Sequence, residues 1–324
     1  MASQLNPDAV IECVPNFSEG TDAAKVAQIV AAMRVDGVSL LDWSMDAAHN
    51  RSVVTIVGPP AAISEAAVRG VRRASELIDL TGQSGVHPRI GAADVVPFVP
   101  VSGASLAECA MLARQAGLEI WRRCGVPVYF YEAAAARPDR INLEDVRRGQ
   151  FEGLLETAHR DTARRPDVGG PEIHRTAGAT AVGARSFLIA YNIYLETLKI
   201  SKAAAGLPAA AQADISAARA IARAIRASAG GLHGVKAIGV SVGGRAQVSM
   251  NITDFRRTPV QKIHSAVREL ARNHGAVVTQ GELIGLIPQE AYEPDADWVR
   301  EIPGFDPDSK VLERRLMHPL PWPG

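Results

Sequence analysis

The chain has 324 residues, 47% of them apolar and 22% charged. That is length for about two domains and enough apolar character to exclude intrinsic disorder. Its 35 Lys and Arg balance 35 Asp and Glu, which argues against a basic nucleic-acid binder. In chain order, residues 9–15 form a short apolar run that ends at a proline and reads as a strand. Residues 22–33 carry Ala, Val and Ile at helical spacing, with Thr21 or Asp22 available as the cap. The β-branched runs 38–43 and 51–57 predict two strands. Residues 60–78 predict an Ala-rich helix with proline near its start. Residues 93–101 are strand-like again, so the order to this point is β-α-β-β-α-β. A long helix over 104–124, a strand over 127–131 and a single helix over 143–159 follow.

The second half repeats the order without repeating the sequence. Strands are predicted at 186–194, 235–242, 246–253 and 277–286, and helices at 209–228 and 259–274. Gly243-Gly244 marks a hairpin between the two middle strands. The fold class is therefore α/β (α+β), with two ferredoxin-like split-βαβ subdomains, residues 1–184 and 185–324. Each is expected to be a mixed sheet with helices on one face, with a ligand cleft between the two. The halves differ in charge, with 18 basic against 22 acidic residues in the first and 17 against 13 in the second. Residues 160–184, rich in Gly and Pro and without clear periodicity, read as a binding segment, since long structureless connections inside compact domains are often functional. The stretch beyond Pro294, with Trp298, Trp322 and several prolines, reads as a tail wrapping the surface or a neighbouring subunit.

No run approaches the roughly 18 apolar residues of a bilayer-crossing helix, and the N-terminus lacks the basic start of a signal peptide. A cytoplasmic protein without a membrane partner is expected. Cys13, Cys109 and Cys124 have no metal-like spacing and read as small buried apolar groups in a reducing compartment. His49, His87 and His174 are too scattered for a zinc motif, and no phosphate-binding GxxxxGK[ST] loop occurs. Gly243-Gly244-Arg245 reads as a turn and 178–183 as a loop open to close backbone approach.

Two segments could carry chemistry. In Gly85-Val86-His87-Pro88-Arg89-Ile90-Gly91, Pro88 holds His87 in extended backbone. The imidazole of His87 can accept or donate a proton near neutral pH. Arg89, two residues on, shares its face and suits an anionic substrate. The segment 42–51 offers Asp42 or Asp46 to orient an imidazole, and Asn50 and Arg51 to bind a carboxylate or amide. On pattern alone the segment reads better as a polar hairpin loop.

Seven ordered stretches extend this reading: IECVPNFSEG (11–20), HNRSVVTIVG (49–58), GVHPRIGAADVVPFVPV (85–101), GVPVYFYEAAA (125–135), GATAVGARSFLIAYNI (178–193), AQVSMNITDF (246–255) and GELIGLIPQEA (281–291). On these the chain resembles the glutamate formimidoyltransferase (formiminotransferase) family, including the transferase part of formiminotransferase-cyclodeaminase. The cyclodeaminase part has no counterpart here. The resemblance implies transfer of the formimino group from N-formimino-L-glutamate to N5 of tetrahydrofolate, a step of histidine degradation and one-carbon metabolism. It implies a homodimer, tetrahydrofolate as co-substrate, and no metal and no nucleic-acid partner. By motif, the family's catalytic histidine falls on His87. Its folate segment falls on Gly169, Gly170, Pro171, Glu172, Ile173, His174, Arg175, Thr176, Ala177 and Gly178. Arg51, Arg89 and Asn50 become candidates for the glutamate end, because a guanidinium binds carboxylates in bidentate fashion; Asp42 and Asp46 become candidates for orienting the histidine. Two positions depart from the pattern: Ser44 replaces a frequent acid, and Val86 the usual Glu before the histidine. Formyl transfer from 5-formyl-tetrahydrofolate and a non-catalytic folate-binding paralogue stand as the alternatives.

Overall fold

The computed structural model describes residues 5–83, 88–197 and 215–324. It divides into two compact units, Met1–Ser186 with His318–Gly324, and Phe187–Met317. The first unit begins with β1 (Val10–Cys13) and β2 (Asn16–Phe17), which are one line of chain interrupted at Pro15. Proline has no N–H to give the ladder, but its carbonyl still accepts from Val54 N at 3.0 Å. Next come α1 (Ala23–Ala32), β3 (Ser39–Asp46), β4 (Arg51–Gly58), α2 (Pro60–Leu77) and β5 (Ala93–Ser102). Asp22, not Thr21, caps α1, accepting from Ala24 N and Lys25 N. β5 pairs β1, β1 pairs β4 and β4 pairs β3, all antiparallel. This is the split-βαβ order, in which each helix crosses between non-adjacent strands.

Three further helices and two strands extend this core: α3 (Leu106–Cys124), β6 (Val128–Glu132), α4 (Leu143–Val146), α5 (Gln150–Thr157) and β7 (Thr180–Ala184). A Ser105–Glu108 capping box starts α3, and Gly125, in the left-handed region, ends it. β7 lies between β5 and β6 and is parallel to both. It corrects the expectation that 160–184 has no element and that 178–183 is a loop. A fully buried parallel strand shows no polar alternation, so TAVGA has nothing to distinguish it from a loop. The helix expected over 143–159 is two short ones, α4 and α5, broken at Gly149 with φ +82°.

The second unit contains β8 (Ile189–Thr197), α6 (Ser216–Ile225), β9 (Val235–Val242), β10 (Arg245–Ile252), α7 (Val260–Asn273) and β11 (Ala276–Ile284). The part of the expected 209–228 helix before residue 215 lies outside the described residues. Its sheet, ordered β11-β8-β10-β9, is wholly antiparallel, again the split-βαβ arrangement. Gly243 and Gly244, both at positive φ, make the β9–β10 turn that the hairpin signal predicts. Short helices α8 (Asp297–Arg300), α9 (Pro307–Lys310) and α10 (Leu312–Met317) complete the unit.

The stretch beyond Pro294 divides into a part packed in the second unit and a part-exposed end on the first. Trp298 is fully buried, edge-on to Tyr191 and Phe305, and Leu320 and Trp322 pack on the first unit's core, with Leu320 N donating to Leu40 O at 2.7 Å.

Beside Trp298 in the second unit, His264 is buried on α7. Its Nδ1 lies 2.9 Å from the Tyr191 hydroxyl and its Nε2 3.4 Å from a Glu301 carboxylate oxygen. Burial, helped by Arg268, pushes its pKa down to about 4. The unfolded chain therefore takes up a proton near pH 6.5 that the folded chain refuses until about pH 4. The stability this provides is complete above pH 6.5 and falls by at most about 1.4 kcal/mol per pH unit as pH drops towards 4. Urea unfolding followed by fluorescence should show that loss, and His264→Gln should flatten the slope over this window.

Candidate functional site

The site grows from the start of β5. Asp94 has no exposed surface, and a carboxylate there needs compensating partners. Its Oδ1 accepts from Ile90 N at 2.8 Å, and its Oδ2 accepts from Arg51 Nη1 at 2.8 Å and from Arg147 Nη2. Arg51 also donates from Nε to Asn16 Oδ1 at 2.9 Å. Two guanidiniums on one carboxylate leave net positive charge. Burial and the neighbouring Arg147 push the Arg51 pKa down to about 10, so it stays protonated at neutral pH. The Arg51 and Arg147 side chains remain 13% and 12% exposed. Arg147 follows α4, an element with no motif to mark it.

The chain leaving this carboxylate lies directly on the 169–178 segment. Ala179 N donates to Ile90 O and Ala92 N to Ala177 O, both at 2.9 Å, and Gly91 and Gly178 face each other in a bridge. A Cβ on Gly91 would stand 2.1 Å from Ala179 O, and one on Gly178 2.1 Å from Ile90 O. Both glycines are therefore required by close backbone approach. Ser18 Oγ donates to Gly91 O at 2.7 Å. Two stretches some 85 residues apart in sequence thus form one surface.

Residues 84–87, which include His87 and Val86, lie outside the described residues. Arg89 is 8% exposed. Its Nη2 donates to Gln83 O at 2.7 Å and to Glu152 Oε1 at 3.1 Å, while its own carbonyl accepts from Phe151 N. Its geometry ties 88–91 to the end of the Leu80–Gly82 turn and to α5. The nearby Glu19, also buried, accepts from Thr21 N, Thr21 Oγ1 and Asp22 N. Burial alone would raise its pKa; these hydrogen bonds hold it below the ordinary carboxylate value.

The 42–51 segment is a hairpin with a shorter turn than its sequence suggests. β3 continues through Asp46, so only 47–50 turn. Asp46 accepts from Ala48 N and His49 N and lies 2.7 Å from His49 Nδ1. Asp46 thus partners His49. Burial would raise the Asp46 pKa, but its hydrogen bonds with His49 keep it low. Asn50, in the left-handed region, accepts from Gly20 N at 3.0 Å. Gly20 is close enough that a Cβ would meet Asp46 O at 2.2 Å. Asp42 sits at a register shift in β3 opposite Thr55, and Ser44 opposite Val53.

In the 169–178 segment the Gly170–Pro171 peptide is cis. Gly169 leaves room for Trp121, whose ring a Cβ would approach to 2.6 Å. His174 Nδ1 accepts from Ala177 N at 3.0 Å, so the ring proton belongs on Nε2. Residues 170–174 and the end of α3, through Trp121, Gly125 and Pro127, line a cavity of about 320 Å³. Trp121 carries no sequence signal of a role, because its helical spacing reads as packing.

These features define an α/β protein of two split-βαβ units, with a cationic, glycine-lined surface suited to an anionic ligand. Residues 10–185 match the formiminotransferase domain, N-terminal subdomain, and residues 190–308 match the formiminotransferase domain. The chain is 43% identical to glutamate formimidoyltransferase of Streptococcus pyogenes serotype M1 over 95% of its own length and 99% of the relative's. It is 39% identical to glutamate formimidoyltransferase of Thermoplasma acidophilum, over 95% and 97%. With formimidoyltransferase-cyclodeaminase of Gallus gallus it shares 38% identity, over 87% of this chain and 51% of that one. The chain belongs to the formiminotransferase family. Among the described residues no helix is long and apolar enough to cross a membrane.

Asp94→Asn keeps the shape but removes the buried charge that Arg51 and Arg147 share. It should cost about 3–5 kcal/mol of stability, the usual penalty for breaking a buried pair. Denaturant midpoints of the wild type and variant check this.

Proposed function

We propose that the chain is a glutamate formimidoyltransferase: it moves the formimino group of N-formimino-L-glutamate to N5 of tetrahydrofolate, giving 5-formimino-tetrahydrofolate and glutamate. In this reading N5 attacks the amidine carbon to give a tetrahedral intermediate. Collapse of that intermediate breaks the bond to the glutamate nitrogen. His87 takes the N5 proton and delivers one to the departing amine, a role one imidazole can fill in both directions near neutral pH. The 169–178 segment holds the folate. Arg51, with Arg147 beside it, takes a substrate carboxylate. Arg89 and Asn50 act by holding their loops, Arg89 through Gln83 O and Asn50 through Gly20 N. Asp42 is the proposed acid for orienting the histidine; Asp46 contacts His49 instead.

The observation that carries this reading is the backbone pairing of 90–92 with 177–179. It supports the reading because residues 90–92, which follow the histidine in its motif, pair with the segment proposed to hold folate. Holding both reactants together supplies much of the rate, since effective molarities for oriented groups are very large.

Mixing the purified protein with formiminoglutamate and tetrahydrofolate should generate the absorbance of 5-formimino-tetrahydrofolate; folate binding without turnover would instead mark a binding paralogue. His87→Ala should lower kcat by about 10²–10⁴-fold and leave folate affinity within a few-fold. Turnover retained at the wild-type rate would remove His87 from its role.

A further inference from the structure

In the second unit, one face of the sheet packs Tyr191, Ile193, Leu195, Val248 and Met250 into the core. Side chains alternate along strands, so Asn192, Tyr194, Gln247, Gln280 and Glu282 occupy the other face. Asn192, Tyr194 and Gln247 gather around one carboxylate oxygen of Glu282. Glu282 Oε2 accepts from Asn192 Nδ2 at 3.0 Å and lies 3.4 Å from both the Tyr194 hydroxyl and Gln247 Nε2. Glu282 and Asn192 are direct cross-strand partners, and Gln247 stands opposite Tyr194 on the next strand. Arg245 stacks on the Tyr194 ring at 4.3 Å and donates to Gln280, which fixes the aromatic edge of the group.

The arrangement leaves two acceptors over. Glu282 Oε1 takes no hydrogen bond among the described residues. Gln247 is 1% exposed, and its Oε1 is buried without a partner. A buried acceptor left unmet is unfavourable. Two unused acceptors on touching side chains, one of them charged, suit a ligand that presents two parallel N–H donors on one N–C–N edge.

We infer that Glu282 and Gln247 form a recognition site for such an edge. The inference rests on the proposed reaction, whose two substrates both offer this chemistry: the 2-amino-4-oxo-pteridine edge of the folate, and the amidine of the formimino group. Asn192, Gln247 and Glu282 each fall in one of the stretches that carry the family resemblance. Because three donors hold Oε2, an amide at position 282 must turn its oxygen towards them. Its NH₂ then meets the ligand's N–H groups, donor against donor.

The test is Glu282→Gln in the full chain, with thermal melting as a control of folding. The ligands are 5-formyl-tetrahydrofolate, free pterin and p-aminobenzoylglutamate by calorimetry, and formiminoglutamate by steady-state kinetics. If the site takes the pteridine, the folate and pterin weaken at least tenfold and p-aminobenzoylglutamate stays within twofold. If it takes the formimino group, KM for formiminoglutamate rises at least tenfold and folate affinity is unchanged. An active wild type whose Glu282→Gln variant differs by less than twofold in all four overturns the inference alone. A wild type that neither transfers nor binds folate overturns the proposed function, and this inference with it. Should Glu282→Gln fail to fold, Gln247→Met, which removes the second acceptor, is read against the same outcomes.

Discussion

A single buried carboxylate organises the first unit's working surface. Asp94 has no exposed surface, so its charge needs partners, among them Arg51, Arg147 and the Ile90 amide. Each partner comes from a different piece of chain: the start of β4, the turn after α4, and the loop before β5. Removing the charge would therefore release three segments at once. The attraction also serves a purpose beyond cohesion. One negative charge against two positive ones draws two cationic groups together and leaves a net positive charge beside β5.

Glycines then bring the backbone together around that point. Gly20, Gly91 and Gly178 each sit where a Cβ would meet a backbone atom at 2.2 Å or less. They let the 16–20 loop, the 88–92 loop and the 174–179 segment approach as main chain rather than through side chains. Such a surface is rigid and presents its polar groups in fixed positions, which suits the positioning of two reactants.

Much of this was legible in the sequence. The β-α-β-β-α-β order of both halves followed from periodicity and turn residues, because amphipathic helices and half-buried strands leave a regular trace. What left no trace was burial on both sides. β7 reads as TAVGA, small and unpatterned, and its identity as a strand depends on neighbours far away in sequence. The break between α4 and α5 depended on one glycine, Gly149, in a stretch otherwise helical in spacing. Asp94 stood in plain view within an apolar strand, yet nothing local named Arg147 as its partner. The polar face of the second sheet was likewise hidden, since Asn192, Gln247 and Glu282 meet only through strand pairing.

The last residues return to the first unit, where Leu320 is bonded to β3. The second unit is consequently an uninterrupted stretch of chain, whereas the first is assembled from two pieces separated by all of it. During synthesis on a ribosome the later-made body can close as soon as it emerges. The earlier-made one must wait until residues 318–324 have followed the whole second unit before its strand-edge contact can form, so the part begun first is completed after the other.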